Sequence, residues 1–302
     1  MRVFRGFQGR LQRTAVAIGN FDGLHLAHQK IVRDLISESQ KNGLAPTILT
    51  FRPNPKEFFN PHRAPAPLMR LHDKLRFLQQ MGIENAVICP FNQKFADQSA
   101  ENFIQNFKDF FHAEFLLVGD DFHFGKNRAG NFETLKAAGL NVHNIPAVFM
   151  ENERVSSSAI RAHLANADLE SAKKLLGRDF AITGKVQRGK ALGRTLGFAT
   201  ANLNLPFATL PLQGVFAVSV KIDGESGIFH GVANVGTRPS VNQTALPLLE
   251  VHLLNFTKNI YQKRLCVYFQ HFLRREKHFA HLDALKAQIA LDIAAARDFF
   301  RK

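Results

Sequence analysis

The apolar residues of this chain change period once, near residue 181, and that single change requires two separately built folds. Before it, strand-like apolar runs alternate with helical stretches. TAVAIG (14–19) leads through NFDG into a segment with Ile31, Val32, Leu35 and Ile36 at helical spacing. PTILTF (46–51), a helix over 72–81, NAVICPF (85–91), a helix over 100–111 and EFLLVG (114–119) continue the alternation. Strands separated by helices of roughly 10–15 residues predict a parallel α/β sheet covered on both faces. Residues 155–176 read as helical, with Gly177 as a C-cap. From Ala181 onward ITGKVQRG, GVFAVSVKIDG, GIFHGVANVG, LLEVHLLNF and RLCVYFQHFL alternate between Gly, Asp-Gly and Pro punctuation. Such a pattern predicts antiparallel β structure, a barrel or a sandwich. A closing amphipathic helix puts Leu282, Leu285, Ile289 and Ile293 on one face. The expected division is 1–180 and 181–302.

At 302 residues the chain can bury a core in each part without disulfide or metal staples. No apolar run approaches the ~20 residues that span a bilayer. The basic start, MRVFRGFQGRLQ, leads into no apolar signal region. A cytoplasmic protein with no membrane contact is expected. Cys89 and Cys266 lie in apolar runs without CxxC spacing, as reduced thiols rather than a zinc site or disulfide framework would. Thirty-nine Lys and Arg against 25 Asp and Glu give a net charge of +14, which points to anionic partners: nucleic acid, acidic membrane or phosphorylated small molecules. There is no run of five like charges to mark a nucleic-acid tail.

Five segments and one strand carboxylate are candidates to bear chemistry. GNFDGLHLAHQ (19–29) leaves the first strand and enters the first helix, where open α/β sheets bind ligands. Gly19 and Gly23 let the backbone approach an anion, and His25 and His28, three apart, can face a phosphate at the positive helix end. Zinc would need further ligands at metal spacing, and none is evident. VSSSAIRAHL places three hydroxyls at a helix start and Arg161 one turn in, as plain capping or as a phosphate grip. TFRPNPKEFF and GDDFHFG follow two strands; their Phe59, Phe124, Asn54 and Asp121 could sandwich a flat ring and bond its rim. GKVQRGKALGRTLGFATANL (184–203) is either a Gly-rich loop over phosphates or a flexible hairpin, and it is not the P-loop pattern GxxxxGK[ST]. Glu250, in an alternating strand, is by itself a solvated edge residue or a base.

GNFDGLHLAH resembles the GxFDGxHxGH signature of nucleotidyltransferases. With TFRPNP, GDDFHFGKNRAG and VSSSAIR in order, the chain resembles the bacterial bifunctional riboflavin kinase/FMN adenylyltransferases, also called FAD synthetases. The second half adds a match to GxVxxGxxxGRxLGFPTAN of the riboflavin kinases, followed by GVANVGTRPSV and LEVHLLNF. The resemblance implies a Rossmann-like nucleotidyltransferase domain followed by a six-stranded, barrel-like kinase domain with a C-terminal helix. It implies that ATP meets Gly19, Asn20, Phe21, Asp22, Gly23, Ser156, Ser157, Ser158 and Arg161, with His25 and His28 stabilising charge on the α-phosphate. It further implies FMN contacts at Pro53, Asn54, Pro55, Phe59, Asp121 and Phe124. In the kinase half it assigns ATP and flavin binding to Gly184, Lys190, Gly193, Arg194, Gly197 and Arg274. Thr200 and Asn202 would bind magnesium, and Glu250 would be the general base. The substrates and products are then ATP, riboflavin, FMN and FAD. Ala27 and Ala199 depart from the family's Gly and Pro, and Asn255 and His278 from its frequent Asp and Lys. Those departures leave a relative with one activity as the alternative. A basic nucleic-acid-binding protein on a related fold is the other; it is disfavoured because VSSSAIR stands where the KMSKS lysines of tRNA synthetases would be.

Overall fold

The structure is a computed structural model that describes residues 1–120, 122–188, 197–206, 209–238 and 246–301. Its contacts divide the chain into two units, Met1–Pro65 with Leu71–Ser156, and Ala66–Arg70 with Ser157–Lys302.

In the first unit six strands, β1 (Arg2–Arg5), β2 (Thr14–Ile18), β3 (Ala45–Arg52), β4 (Asn85–Pro90), β5 (Ala113–Gly119) and β6 (Val142–Ile145), form one sheet in the order β1-β4-β3-β2-β5-β6. Every pair is parallel. The intervening helices are α1 (Leu26–Asn42), α2 (Pro55–Phe59), α3 (Leu71–Met81), α4 (Gln93–Ala96), α5 (Ala100–Asp109) and α6 (Phe132–Ala137). A short hairpin, β7 (Phe149–Met150) with β8 (Glu153–Arg154), follows. β2 is buried along its whole length, as a central parallel strand covered on both faces must be. From β2 the chain winds outward through β3 and β4, then returns to lay β5 on the other side. The reversal opens a crevice at the carboxyl ends of β2 and β5, the place such sheets bind ligands. β1 escapes the period argument, because four mostly exposed edge residues have no buried face to reveal. It is tied to β4 by register and by Arg2 Nε donating to Asn85 Oδ1 at 3.0 Å. The core beside the sheet is phenylalanine-rich: buried Phe107 meets Phe103 edge-on and stacks on Phe111, the three spaced four residues apart.

The second unit begins with α7 (Ser157–Ala165) and α8 (Leu169–Leu176), so the helical text of 155–176 is interrupted. Ala167 at φ 57° breaks it, and Asp168 starts α8 by accepting the Ser171 N–H at 3.0 Å. Gly177, at φ 72°, ends α8 as expected. β9 (Ala181–Gln187), β10 (Ala201–Asn204), β11 (Gly214–Ile222), β12 (Phe229–Arg238), β13 (Leu246–Leu253) and β14 (Arg264–Arg274) then close a barrel in the order β10-β13-β12-β11-β14-β9. All its pairs are antiparallel. Closure resolves the choice between barrel and sandwich, since it leaves no unpaired edge. The last helix, α9 (Leu282–Arg301), packs Ile289, Ile293, Ala296, Phe299 and Phe300 against a barrel face that includes Val215, Ala217 and Val232. Its expected stripe is therefore shifted: Leu282 is 60% exposed, because the packed part of the helix lies in its later turns. Neither cysteine is in a disulfide; Cys89 is buried, which pushes its thiol up to about 12, and Cys266 is half-buried.

Candidate active sites

The turn after β2 is wound tightly. Phe21 (φ 48°), Gly23 (φ 78°) and Leu24 (φ 41°) all have left-handed backbones. For Phe21 and Leu24 this costs about 1–2 kcal/mol each, and burial of both side chains opposes relaxation. Gly19 lies under the Phe21 ring, where an added Cβ would sit 3.3 Å from it. The turn delivers His25 as the N-cap of α1, with its Nδ1 accepting the His28 N–H at 3.4 Å. That bond places the remaining ring proton on Nε2. The His25 and His28 rings stack, centroids 3.6 Å apart and 17° from parallel, with Phe21 5.2 Å from His28. Two imidazoles thus share the positive end of a 17-residue helix at the switch point, an arrangement suited to charge developing on a phosphate.

The loops after β3 and β5 open on the same edge. Pro53 follows a cis peptide from Arg52, and Pro55 occupies the first turn of α2. Asn54 caps that helix: its Oδ1 accepts the Lys56 N–H at 3.0 Å, while Glu57 accepts the Asn54 N–H, which leaves the Asn54 amide NH₂ and one oxygen lone pair for a ligand. Phe59 is 67% exposed and stands edge-on to Phe58 and Phe91. Phe124 is buried against Phe103 and Phe122 and covers Gly130. The two rings expected to flank a flat ligand therefore lie at opposite ends of one aromatic chain that runs through Phe91, Phe95 and Phe103. Asp121 lies outside the described residues.

Ser156 closes the first unit, whereas Ser157, Ser158 and Arg161 belong to α7 in the second. Arg161 Nε donates to the Ala66 carbonyl at 2.6 Å, and Arg70 Nη1 to the Thr183 carbonyl at 3.0 Å, so residues 66–70 are tied to the second unit.

On the barrel, Asn202 of β10 and Asn234 of β12 are both register partners of Glu250 on β13. Directly paired residues present their side chains to one face, so two amides flank one carboxylate across three strands. Asn202 is 9% exposed. Thr200, two residues before it, lines a cavity of about 430 Å³ with Val251, Leu253, Phe256 and Tyr261, a volume in the range of small-molecule sites. The Ala199 carbonyl accepts from His252 Nδ1 at 2.9 Å, and Phe198 meets the His252 ring edge-on. A side chain thereby holds the segment that lacks the family's proline. Gly197 sits at φ 87°, where glycine is favoured. Gly184 has a packing reason: a Cβ there would lie 2.8 Å from Leu203 Cβ. Arg274 makes a bidentate pair with Asp292, 2.8 Å for each bond. Lys190, Gly193 and Arg194 lie outside the described residues. Sequence reasoning missed Asn234, although an amide inside the apolar run GVANVG was a visible anomaly. It also missed Lys74, which is 8% exposed on α3; a lysine spaced in the apolar stripe of Leu71 and Leu78 was its signal.

Residues 8–159 match the FAD synthetase family and residues 176–300 the riboflavin kinase family. Curated relatives called bifunctional riboflavin kinase/FMN adenylyltransferase include one from Haemophilus influenzae, 43% identical over 99% of both chains. Those of Escherichia coli K12 (40%; 99% of this chain, 98% of the relative) and Pseudomonas fluorescens (43%; 93% and 91%) are also similar. Among solved structures, a Streptococcus pneumoniae chain described as a macrolide-efflux protein superimposes with a TM-score of 0.81 at 27% identity, covering 98% of this chain and 99% of that one. Among the described residues, no helix here is long and apolar enough to cross a membrane.

Proposed function

The chain belongs to the bifunctional riboflavin kinase/FMN adenylyltransferase family, and from that premise we propose how its residues divide the two reactions. The enzyme phosphorylates riboflavin with ATP, giving FMN and ADP, then transfers AMP from ATP to FMN, giving FAD and pyrophosphate. The observation that carries the division is that each unit holds one polar constellation, the stacked His25 and His28 in the first and the Asn202–Glu250–Asn234 row in the second.

In adenylyl transfer an oxygen of the FMN phosphate attacks the ATP α-phosphorus and pyrophosphate leaves. The nucleophile is already ionised, so a strong base is unnecessary. His25 donates its Nε2–H and His28 adds a second imidazole to the charge that builds on the α-phosphate oxygens. The resemblance assigns the ATP to Asn20, Asp22, Gly23, Ser156, Ser157, Ser158 and Arg161, and of these Asn20, Asp22, Gly23 and Ser156 lie in the same unit as the two histidines. Pro53, Pro55, Phe59, Asp121 and Phe124 shape the flavin end, with the amide of Asn54.

In the kinase reaction Glu250 takes the proton of the riboflavin 5′-hydroxyl as that oxygen attacks the γ-phosphorus and ADP departs. Asn202 and Asn234 hold its carboxylate in the row. The hydroxyl of Thr200 and the amide oxygen of Asn202 are hard oxygen donors, which fit a magnesium ion completed by phosphates and water. Magnesium bound there would supply charge neutralisation for the phosphates. Gly184, Lys190, Gly193, Arg194, Gly197 and Arg274 serve ATP and flavin binding in the same half. We place the adenylyltransferase in residues 1–180 and the kinase in 181–302, and the protein in the cytoplasm.

The test is a product assay with riboflavin, ATP and magnesium, in which FMN and FAD are resolved by chromatography. His28→Ala should lower FAD formation by about 10²-fold and let FMN accumulate. Glu250→Gln should lower FMN formation by about 10²- to 10⁴-fold while supplied FMN still becomes FAD. Normal rates in both folded variants would remove these residues from the chemistry.

A further inference from the structure

One buried charge in the first unit has no part in the scheme above. Lys74 projects from α3 and is 8% exposed, and its ammonium donates to the Asn20 carbonyl at 2.5 Å. Thr50 Oγ1, at the end of β3, donates to the same carbonyl at 3.3 Å. Lysine is among the residues least often buried, and burying an ammonium is unfavourable unless it is paired. Its recipient here is the peptide between Asn20 and Phe21, where the backbone turns left-handed on the way to His25. The carbonyl of that peptide faces the lysine and its other end is the Phe21 N–H. A cation on the oxygen side withdraws electron density and makes the N–H a stronger donor. The backbone alternates in hand along this turn, left-handed at Phe21, not at Asp22, and left-handed again at Gly23, and such alternation gathers successive N–H groups into anion-binding concavities.

We propose that Lys74 is a positioning residue of the adenylyl-transfer site: its buried ammonium clamps and polarises the Asn20–Phe21 peptide, and so ties FAD formation to its own positive charge. The proposal rests on the reading of this crevice as the adenylyltransferase site. Burial moves the Lys74 proton affinity down to about 8, with Asp22 opposing and Arg52 adding to the fall. Asp22 on the turn and Arg52 at the end of β3 are the charged groups acting on it, and α1 brings His25 and His28 at its first turns. Below about pH 8 the charge is present, and above it the amine is neutral. The clamp therefore weakens as pH rises, which is the reverse of what deprotonation of a general base would do.

The experiment uses the full-length protein and measures kcat and KM for FMN adenylylation and for riboflavin phosphorylation from about pH 7 to 9.5. That range lies above the second phosphate ionisation at ~6. The kinase reaction shares ATP and magnesium and serves as the internal reference. The wild-type kcat for FAD formation should fall with a midpoint near pH 8, and the kinase kcat should lack that limb. Lys74→Arg, which keeps the charge at all these pH values, should retain activity and lose the limb. Lys74→Met should lower kcat for FAD formation by about 10- to 100-fold at pH 7, the scale of a misplaced phosphate grip, and be flat with pH. Both histidines remain in every variant, so a difference between profiles belongs to Lys74. A flat wild-type profile, or the same limb in Lys74→Arg, overturns the proposal; the wild-type comparison decides it even where a variant fails to fold. Absence of FAD at every pH would instead refute the adenylyltransferase reading itself.

Discussion

Asp292→Asn tests whether the last helix is bolted to the barrel by one buried ion pair. Asp292 accepts from Arg274 Nε and Nη2, both at 2.8 Å, and from Gln288 Nε2 at 3.0 Å. The pair is secluded, with side-chain exposures of 16% for Arg274 and 7% for Asp292. Asparagine keeps the shape but removes the charge and turns an NH₂ toward a guanidinium that only donates. One charge-assisted bond is lost and a cation is left in a site built for a pair, which costs about 3–5 kcal/mol. The chain has no tryptophan and two tyrosines, Tyr261 and Tyr268, both in the barrel unit. Tyrosine fluorescence during urea unfolding therefore reports that unit alone. The transition should move to lower urea by an amount equivalent to about 3–5 kcal/mol with an unchanged slope, while FAD formation from supplied FMN persists. Replacing both partners with apolar residues, Arg274→Met with Asp292→Leu, should recover much of the loss in stability. A single-variant shift below about 1 kcal/mol, the worth of an exposed pair, would refute the reasoning.

Gly184→Ala would press a methyl 2.8 Å from Leu203 Cβ and 3.2 Å from the Asn204 carbonyl; overpacking of this kind should cost about 1–3 kcal/mol in the same tyrosine-detected unfolding, and an unshifted midpoint would show that β9 and β10 can separate. A fragment of residues 157–302 should be soluble and phosphorylate riboflavin, whereas 177–302 should aggregate, because α8 buries Leu169, Ala172, Leu175 and Leu176 and contacts β14. Equal solubility and unfolding midpoints for the two fragments would show that α8 adds nothing to the barrel unit.

Much of the architecture was legible because burial on one or two faces leaves a period in the residues. β2, β3, β4 and β5 were visible as apolar runs, and the barrel strands β9 and β11 to β14 as alternation, since each repeats its environment over five or more residues. β1, β6 and β10 were not visible, since four residues each are too few to show a pattern. The break between α7 and α8 was hidden because Ala167 is an ordinary helix former, and only its left-handed backbone announces the turn. The histidine pair stood out in the local text by residue type and spacing, whereas Gly197 and Glu250 were singled out only because their segments resemble those of the riboflavin kinases.

The sequence by itself determined that there are two kinds of sheet and where the period changes, and it pointed to the short segments proposed to bear phosphate and proton chemistry. Those properties are set by neighbours within a few residues, so they survive in one dimension. Only the tertiary structure decided that Asn202 and Asn234, 32 residues apart, both pair with Glu250, that the strands close rather than stack, and that Lys74 reaches back 54 residues to the Asn20 carbonyl. Strand register and helix-to-turn contacts join positions remote in sequence. Their partners are selected by the packing of the whole unit, which no local pattern encodes.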